Sequence, residues 1–131
     1  MNPQLDLAEF RAAYLAETEE HVTRCEEAFA DTGKAAKAKK CDAMAGLIEE
    51  AKSMMEEEAE PEVMDAVLIA LAQKVEHYEI ATYGTLCTWA DLLGYKTSKK
   101  ALAANLDQEE KCDKKLTALS KKVNKLAPSG K

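Results

Sequence analysis

Three pairs of side chains able to ligate a metal ion recur at helical spacing: Glu17 with His21, Glu76 with Glu79, and Glu109 with Asp113. On a helix, residues three or four apart share one face, so each pair would present its groups side by side. Carboxylate oxygens bind hard divalent cations and can bridge two of them, while an imidazole can cap one, a donor set that suits iron or manganese. A single glutamate at the edge of an apolar stripe is ordinarily a flank whose long side chain reaches solvent. Three on three different helices call for another explanation.

The elements that would carry these groups are read from apolar periodicity. A first helix is expected over about residues 4–30, with Asn2-Pro3 at its start and Thr32-Gly33 at its end. A second is expected over 40–59, through Cys41, Met44, Ile48, Ala51 and Met55, ending before Pro61. The third, 61–93, has the stripe Leu68, Leu71, Val75, Tyr78, Thr82, Leu86, Trp89 and Leu93, and Gly94 stops it. The fourth, 98–126, takes Ser98 as N-cap and alternates threes and fours through Leu102, Asn105, Glu109, Cys112, Leu116, Leu119, Val123 and Leu126. At about 1.5 Å per residue the three long helices reach roughly 40 to 50 Å, suited to an antiparallel bundle. The second helix, shorter and preceded by DTGKAAKAKK, is expected as a crossover outside that bundle.

At about 100° per residue, neighbours that look alike point in different directions. Glu17 and His21 fill the gap in the first stripe between Leu7, Phe10, Tyr14 and Cys25, Ala28, whereas Glu19 and Glu20 point away. Glu109 lies near the centre of the fourth stripe and Asp113 at its edge, whereas Glu110 points outward. On the third helix Glu79 falls about 50° from the stripe centre, Glu76 near its boundary on the same side, and His77 on the far side. Burying an isolated carboxylate costs several kcal/mol unless it is protonated, paired or bound to a metal. No lysine or arginine falls inward near these positions, so a metal is the favoured partner.

Composition bounds the rest. The 131 residues suit one domain, and 47% hydrophobic against 5% aromatic content, rich in Ala, Leu, Glu and Lys, points to an all-helical fold. The net charge of −6 hides an asymmetry: residues 1–95 carry 8 basic and 20 acidic groups, residues 96–131 carry 10 and 4. That balance does not fit a dedicated nucleic-acid binder. The four cysteines lack C-x-x-C spacing and are expected as small apolar residues inside helices. With no signal-type leader and no apolar run of about 18 residues, a reducing cytoplasm is expected and a membrane span is not. Phosphate loops, dinucleotide fingerprints and nucleophile elbows are absent.

The stretches LAETEEHV (15–22), KKCDAMAGLIEEA (39–51), VMDAVLIALAQKVEHYEIATYGTL (63–86) and LDQEEKCDKKLTALS (106–120) closely resemble the YciF-type ferritin-like proteins of bacteria, a family linked with stress responses. The resemblance implies a ferritin-like antiparallel helix bundle, a dinuclear iron or manganese site and a dimer. It carries the family's E-T-x-x-H/Q onto Glu17, Thr18 and His21, its E-H-Y-E onto residues 76–79, and its E-K-x-x-D onto Glu109 and Asp113. The i, i+4 spacing of the pairs on the first and fourth helices differs from the i, i+3 Glu-x-x-His of ferritin-like sites. Tyr14 and Glu110 stand where the family has histidine and lysine. A further family helix, with its own carboxylate, would precede LAETEEHV, so a groove is expected, filled by a second copy, by another helix-supplying partner or by the second segment folding back. Two functions follow as expectations: a metal-binding ferritin-like protein of oxidative or general stress, or a metal-free helical module for oligomerisation or partner binding.

Overall fold

The computed structural model describes residues 3–126, with side chains described at residue 9 and from residue 11 onward. Four helices follow one another: α1 (Pro3–Asp31), α2 (Asp42–Met55), α3 (Pro61–Leu93) and α4 (Lys96–Leu126), with no strand among the described residues. The expected stripe residues Leu7 and Phe10 have side chains outside the described set.

The helix ends have local causes. After α1, Thr32 N–H donates to the Phe29 carbonyl at 3.0 Å and Gly33 takes φ +73°. After α3, Gly94 at φ +80° lets Tyr95 N–H reach the Ala90 carbonyl at 2.9 Å and Gly94 N–H reach that of Asp91 at 3.2 Å, a Schellman-type ending. Pro61 opens α3, where its missing N–H costs nothing. Two expected boundaries move. α4 begins before Ser98, whose N–H and Oγ donate to Asp31 Oδ2 at 2.9 and 3.0 Å, so the acceptor at the start of α4 comes from the end of α1. α2 is shorter than 40–59: Cys41 is its N-cap, accepting from Met44 N–H at 3.4 Å, and the helix stops ahead of Glu56, Glu57 and Glu58. Acidic groups at a helix C-terminus oppose its dipole, and no buried α2 residue offsets this.

α4 packs against both α1 and α3. Its partners on α1 run from Ser98 with Asp31 through Asn105 with Arg24 to Glu109 with His21. Those on α3 run from Lys99 with Asp91 to Asp113 with Gln73. Sequence numbers rise on one side as they fall on the other, so α4 is antiparallel to both neighbours and α1 is parallel to α3. The short turn at Gly94 makes α3 and α4 a hairpin. α2 crosses back along the outside of α3, held by Lys74 to Glu50 at 2.9 Å and by the Cys41 thiol, 3.2 Å from the Tyr78 hydroxyl.

Burial on α4 follows the expected stripe through Val123, whereas Leu126 is 40% exposed. Ile69, Cys112, Leu116, Leu119 and Val123 form the apolar core, with Tyr14, Ala66, Leu68 and Ala72 packed on it. On α3 the face toward α4 is not the one the large residues mark. Ile69, Glu76 and Ala90, at seven-residue multiples, are buried, and Tyr83 between them is half-buried. Of the expected stripe, Leu71 is buried and Leu68, Val75 and Leu86 are half-buried, whereas Tyr78, Thr82, Trp89 and Leu93 are exposed. α3 has neighbours on two sides, α4 and α2, so its apolar residues divide between two faces. Its bulkier row turns toward α2 and an open corner beside α1.

That corner is apolar and uncovered. Leu15, Val22 and Phe29 of α1, seven residues apart, are 62, 56 and 44% exposed. α2 therefore leaves these three residues uncovered, although its Ala51 borders a groove beside Tyr14 of α1. At the N-terminal end of α3 the opening deepens into this groove, of about 270 Å³ and bounded by Tyr14, Leu68, Leu71, Val75 and Leu116.

Candidate metal centre

Midway along the bundle the apolar layers give way to a polar one. α1 contributes His21, seven residues from both Tyr14 and Ala28; α3 contributes Glu76, Glu79 and Tyr83; α4 contributes Asn105 and Glu109. His21, Glu76, Asn105 and Glu109 are buried, with Glu76 and Asn105 wholly inaccessible. Hydrophobic faces above and below hold the three helices together, and the same helical registers bring these residues to one level.

His21, Glu79 and Glu109 each offer a ligand atom such that all three lie within 4.8 Å of one another. His21 Nδ1 is 2.7 Å from Glu109 Oε1. That is an ion-pair distance without the alignment of an N–H···O bond, so Nδ1 and Glu109 Oε2 both remain without an aligned hydrogen-bond partner. Burial alone would lower the His21 pKa, but contact with Glu109, that carboxylate's charge and Gln108 outweigh it and raise it. The Tyr83 ring stands edge-on to His21 with centroids 6.1 Å apart.

Glu76 lies beside this triad. Both its oxygens are buried without an aligned hydrogen bond, although Glu109, Tyr14 and Cys112 all face it. Burial, reinforced by the neighbouring Glu109, pushes its pKa up to about 8. The effect is mutual: burial and then the charge of Glu76 raise the pKa values of the Tyr14 phenol and the Cys112 thiol. Two adjacent buried carboxylates repel one another unless one is protonated or a cation lies between them.

Of the six expected ligands, the structure thus brings His21, Glu79 and Glu109 together and sets Glu76 next to Glu109. Glu17 is one turn away, half-buried, bordering a small cavity with Tyr14, Cys112 and Lys115. Asp113 lies elsewhere: it accepts from Gln73 Nε2 at 3.3 Å and sits 3.2 Å from His77 Nε2 at the outer α3–α4 seam. His77 is exposed and outside the cluster, as its angular position indicated. The ranking of Glu76 and Glu79 is reversed, with Glu76 fully buried and Glu79 half-buried, because the face of α3 toward α4 is rotated from its bulky stripe.

A polar clamp behind His21 was not foreseen. Gln108 Oε1 lies 2.8 Å from His21 Nε2 and 2.6 Å from Arg24 Nη1, and Asn105 Nδ2 donates to the His21 carbonyl at 3.2 Å. Gln108 adjoins the stripe residue Glu109, but only the docking of α1 on α4 makes it a partner of His21.

The model of a family described as a domain of unknown function, DUF892, matches residues 4–127. Protein YciF of Escherichia coli strain K12 is 48% identical over 117 residues, covering 88% of this chain and 70% of that protein. The crystal structure of the E. coli stress protein YciF aligns with a TM-score of 0.86 at 44% identity, over 91% of this chain and 76% of that one. YcfI of Rhodopseudomonas palustris aligns with a TM-score of 0.82 at 39% identity, over 86% of this chain and 71% of that one. With residues 4–127 matched by the family model and the helix bundle aligned over 91% of the chain, the protein belongs to the DUF892 family of YciF-like helix bundles.

Proposed function

We propose that this protein binds iron or manganese inside its helix bundle and serves in oxidative or general stress. The observation that carries the reading is the convergence of His21, Glu79 and Glu109 from three helices, beside a wholly buried Glu76 whose oxygens lack aligned hydrogen bonds. Carboxylates and an imidazole are the donors these cations prefer, and a cation would offset the repulsion between Glu76 and Glu109. His21, Glu79 and Glu109 would hold one ion; Glu76, shared through Glu109 and with Glu17 a turn away, is the donor available to a second. Bound iron would supply Lewis acidity and redox chemistry toward dioxygen or peroxide. The chain's own part is to fix the imidazole between Glu109 and Gln108, to keep water from Glu76, and to leave Glu79 half-exposed on the open side. The four unpaired cysteines accord with a reducing cytoplasm, and no helix among the described residues is long and apolar enough to cross a membrane.

The test is metal analysis of protein purified with added iron or manganese, beside Glu79→Ala and His21→Ala. Retention by the parent protein and loss in the variants is expected, and no bound metal in any of them overturns the reading. A second reading, a metal-free oligomerisation or partner-binding module, is favoured by the exposed row Leu15, Val22 and Phe29 and by Trp89 and Leu93. It predicts a mass above one chain by light scattering, falling in Val22→Lys, with no metal retained; a metal-free monomer counts against it.

A further inference from the structure

The clamp behind His21 has a direction set by charge. Arg24 Nη1 lies 2.6 Å from Gln108 Oε1, and a guanidinium can only donate. At the other end of the amide, Gln108 Nε2 lies 3.3 Å from Glu20 Oε2, and an ionised carboxylate can only accept. Glu20 and Arg24 are one turn apart on α1 and pair with each other at 3.4 Å. Turning the Gln108 amide over would set NH2 against the guanidinium and the carbonyl against the carboxylate, two repulsive contacts in place of two attractive ones. Oε1 therefore faces His21, and because Oε1 is an acceptor the 2.8 Å contact requires a proton on Nε2. Asn105 braces the same unit: its Oδ1 accepts from Arg24 Nη1 at 3.3 Å and its Nδ2 holds the His21 carbonyl.

We infer that Gln108, oriented by Glu20 and Arg24, is a positioning residue of the metal centre, holding His21 with Nε2 protonated and presenting Nδ1 to the cation. The inference rests on the metal-centre reading above. It follows from hydrogen-bond direction: Nε2 is already committed, while Nδ1 points at Glu109, one of the other two members of the triad. Partners that hold the remote N–H of a ligating histidine fix its tautomer and ring plane, and losing one typically weakens metal binding about 10- to 100-fold.

Nitrogen NMR of 15N-histidine-labelled protein, with and without Zn(II) as a diamagnetic probe, tests this. The chain has 2 histidines, so His77→Gln assigns the signals. In the parent protein the Nε2 signal of His21 is expected to be of the protonated type without metal and to remain so when Zn(II) is added, while Nδ1 shifts. Gln108→Leu is expected to bind Zn(II) about 10- to 100-fold more weakly and to lose the fixed Nε2 signal. Gln108→Glu, which keeps an acceptor, restores both. Zn(II) moving Nε2 in the parent protein overturns the inference and leaves the metal centre standing. Zn(II) moving neither nitrogen overturns the metal-centre reading and the inference with it. Unchanged spectra and affinity in Gln108→Leu also overturn the inference, and should that variant not fold, the parent spectra decide.

Discussion

Replacing Glu76 by glutamine should stabilise the metal-free protein at neutral pH, although it removes a carboxyl from the heart of the bundle. In the folded chain the Glu76 carboxyl has its pKa near 8, against 4.5 for an unperturbed glutamate, chiefly because it is buried. The unfolded chain therefore releases this proton more readily, and folding is penalised above the unfolded pKa. Stability associated with the group is fully present below about pH 4.5 and is lost as pH rises toward 8. At 1.36 kcal/mol per unit, the penalty is roughly 1 kcal/mol at pH 5, roughly 3 at pH 7 and approaches roughly 5 above pH 8. His21 acts in the same direction, since its raised pKa gives stability that is lost as pH rises through that value. A neutral amide at position 76 avoids the first penalty and keeps the second. Urea unfolding in the presence of a chelator should show the Glu76→Gln midpoint raised by about 1 to 2 M at pH 7, with little change near pH 4.5. The pH dependence left in the variant should begin near the histidine range. A variant less stable than the parent at pH 7, or one keeping the parent's slope between pH 5 and 6.5, would refute the account of Glu76 as a buried acid held in strain.

Leu116 is wholly buried at the centre of the apolar core, so Leu116→Ala should cost about 2 to 5 kcal/mol and lower the urea midpoint accordingly. The two glycines Gly84 and Gly94 should respond oppositely to alanine, although neither has an atom within 4 Å of an added Cβ. Gly94→Ala places a side chain at φ +80° and should destabilise by about 1 kcal/mol. Gly84→Ala, inside α3 with helical backbone, should stabilise by about 0.5 to 1 kcal/mol, which thermal unfolding would detect.

Much of the architecture follows from local rules that need no knowledge of the other helices. Pro61, the glycines at 33 and 94, and the three-four alternation through Leu102, Glu109 and Leu116 mark where helices begin, end and face. The inward face of α4 was legible because its packing against both α1 and α3 buries one continuous stripe, from Ser98 through Glu109 to Val123. α3 lies against α4 and α2, and its two apolar faces merge into one broad pattern whose bulkiest residues mark the wrong centre. That displacement is why Glu76 reads as marginal from sequence and is fully buried in the fold.

Residue type and spacing alone bring forward Glu17, His21, Glu76, Glu79, Glu109 and Asp113, since buried carboxylates at helical intervals need a partner. Which of them meet depends on how helices dock, and periodicity along one helix contains no information about axial offset between two. Docking draws ligand-type atoms of His21, Glu79 and Glu109 within 4.8 Å of one another, sets Glu76 against Glu109, and diverts Asp113 to Gln73 and His77. Docking also creates the Glu20, Arg24 and Gln108 unit behind His21, whose members are 84 and 88 residues apart in sequence. The chain's local chemistry thus determined the helices and the candidate donors, while the tertiary structure decided which donors share a site and which nitrogen of His21 faces it.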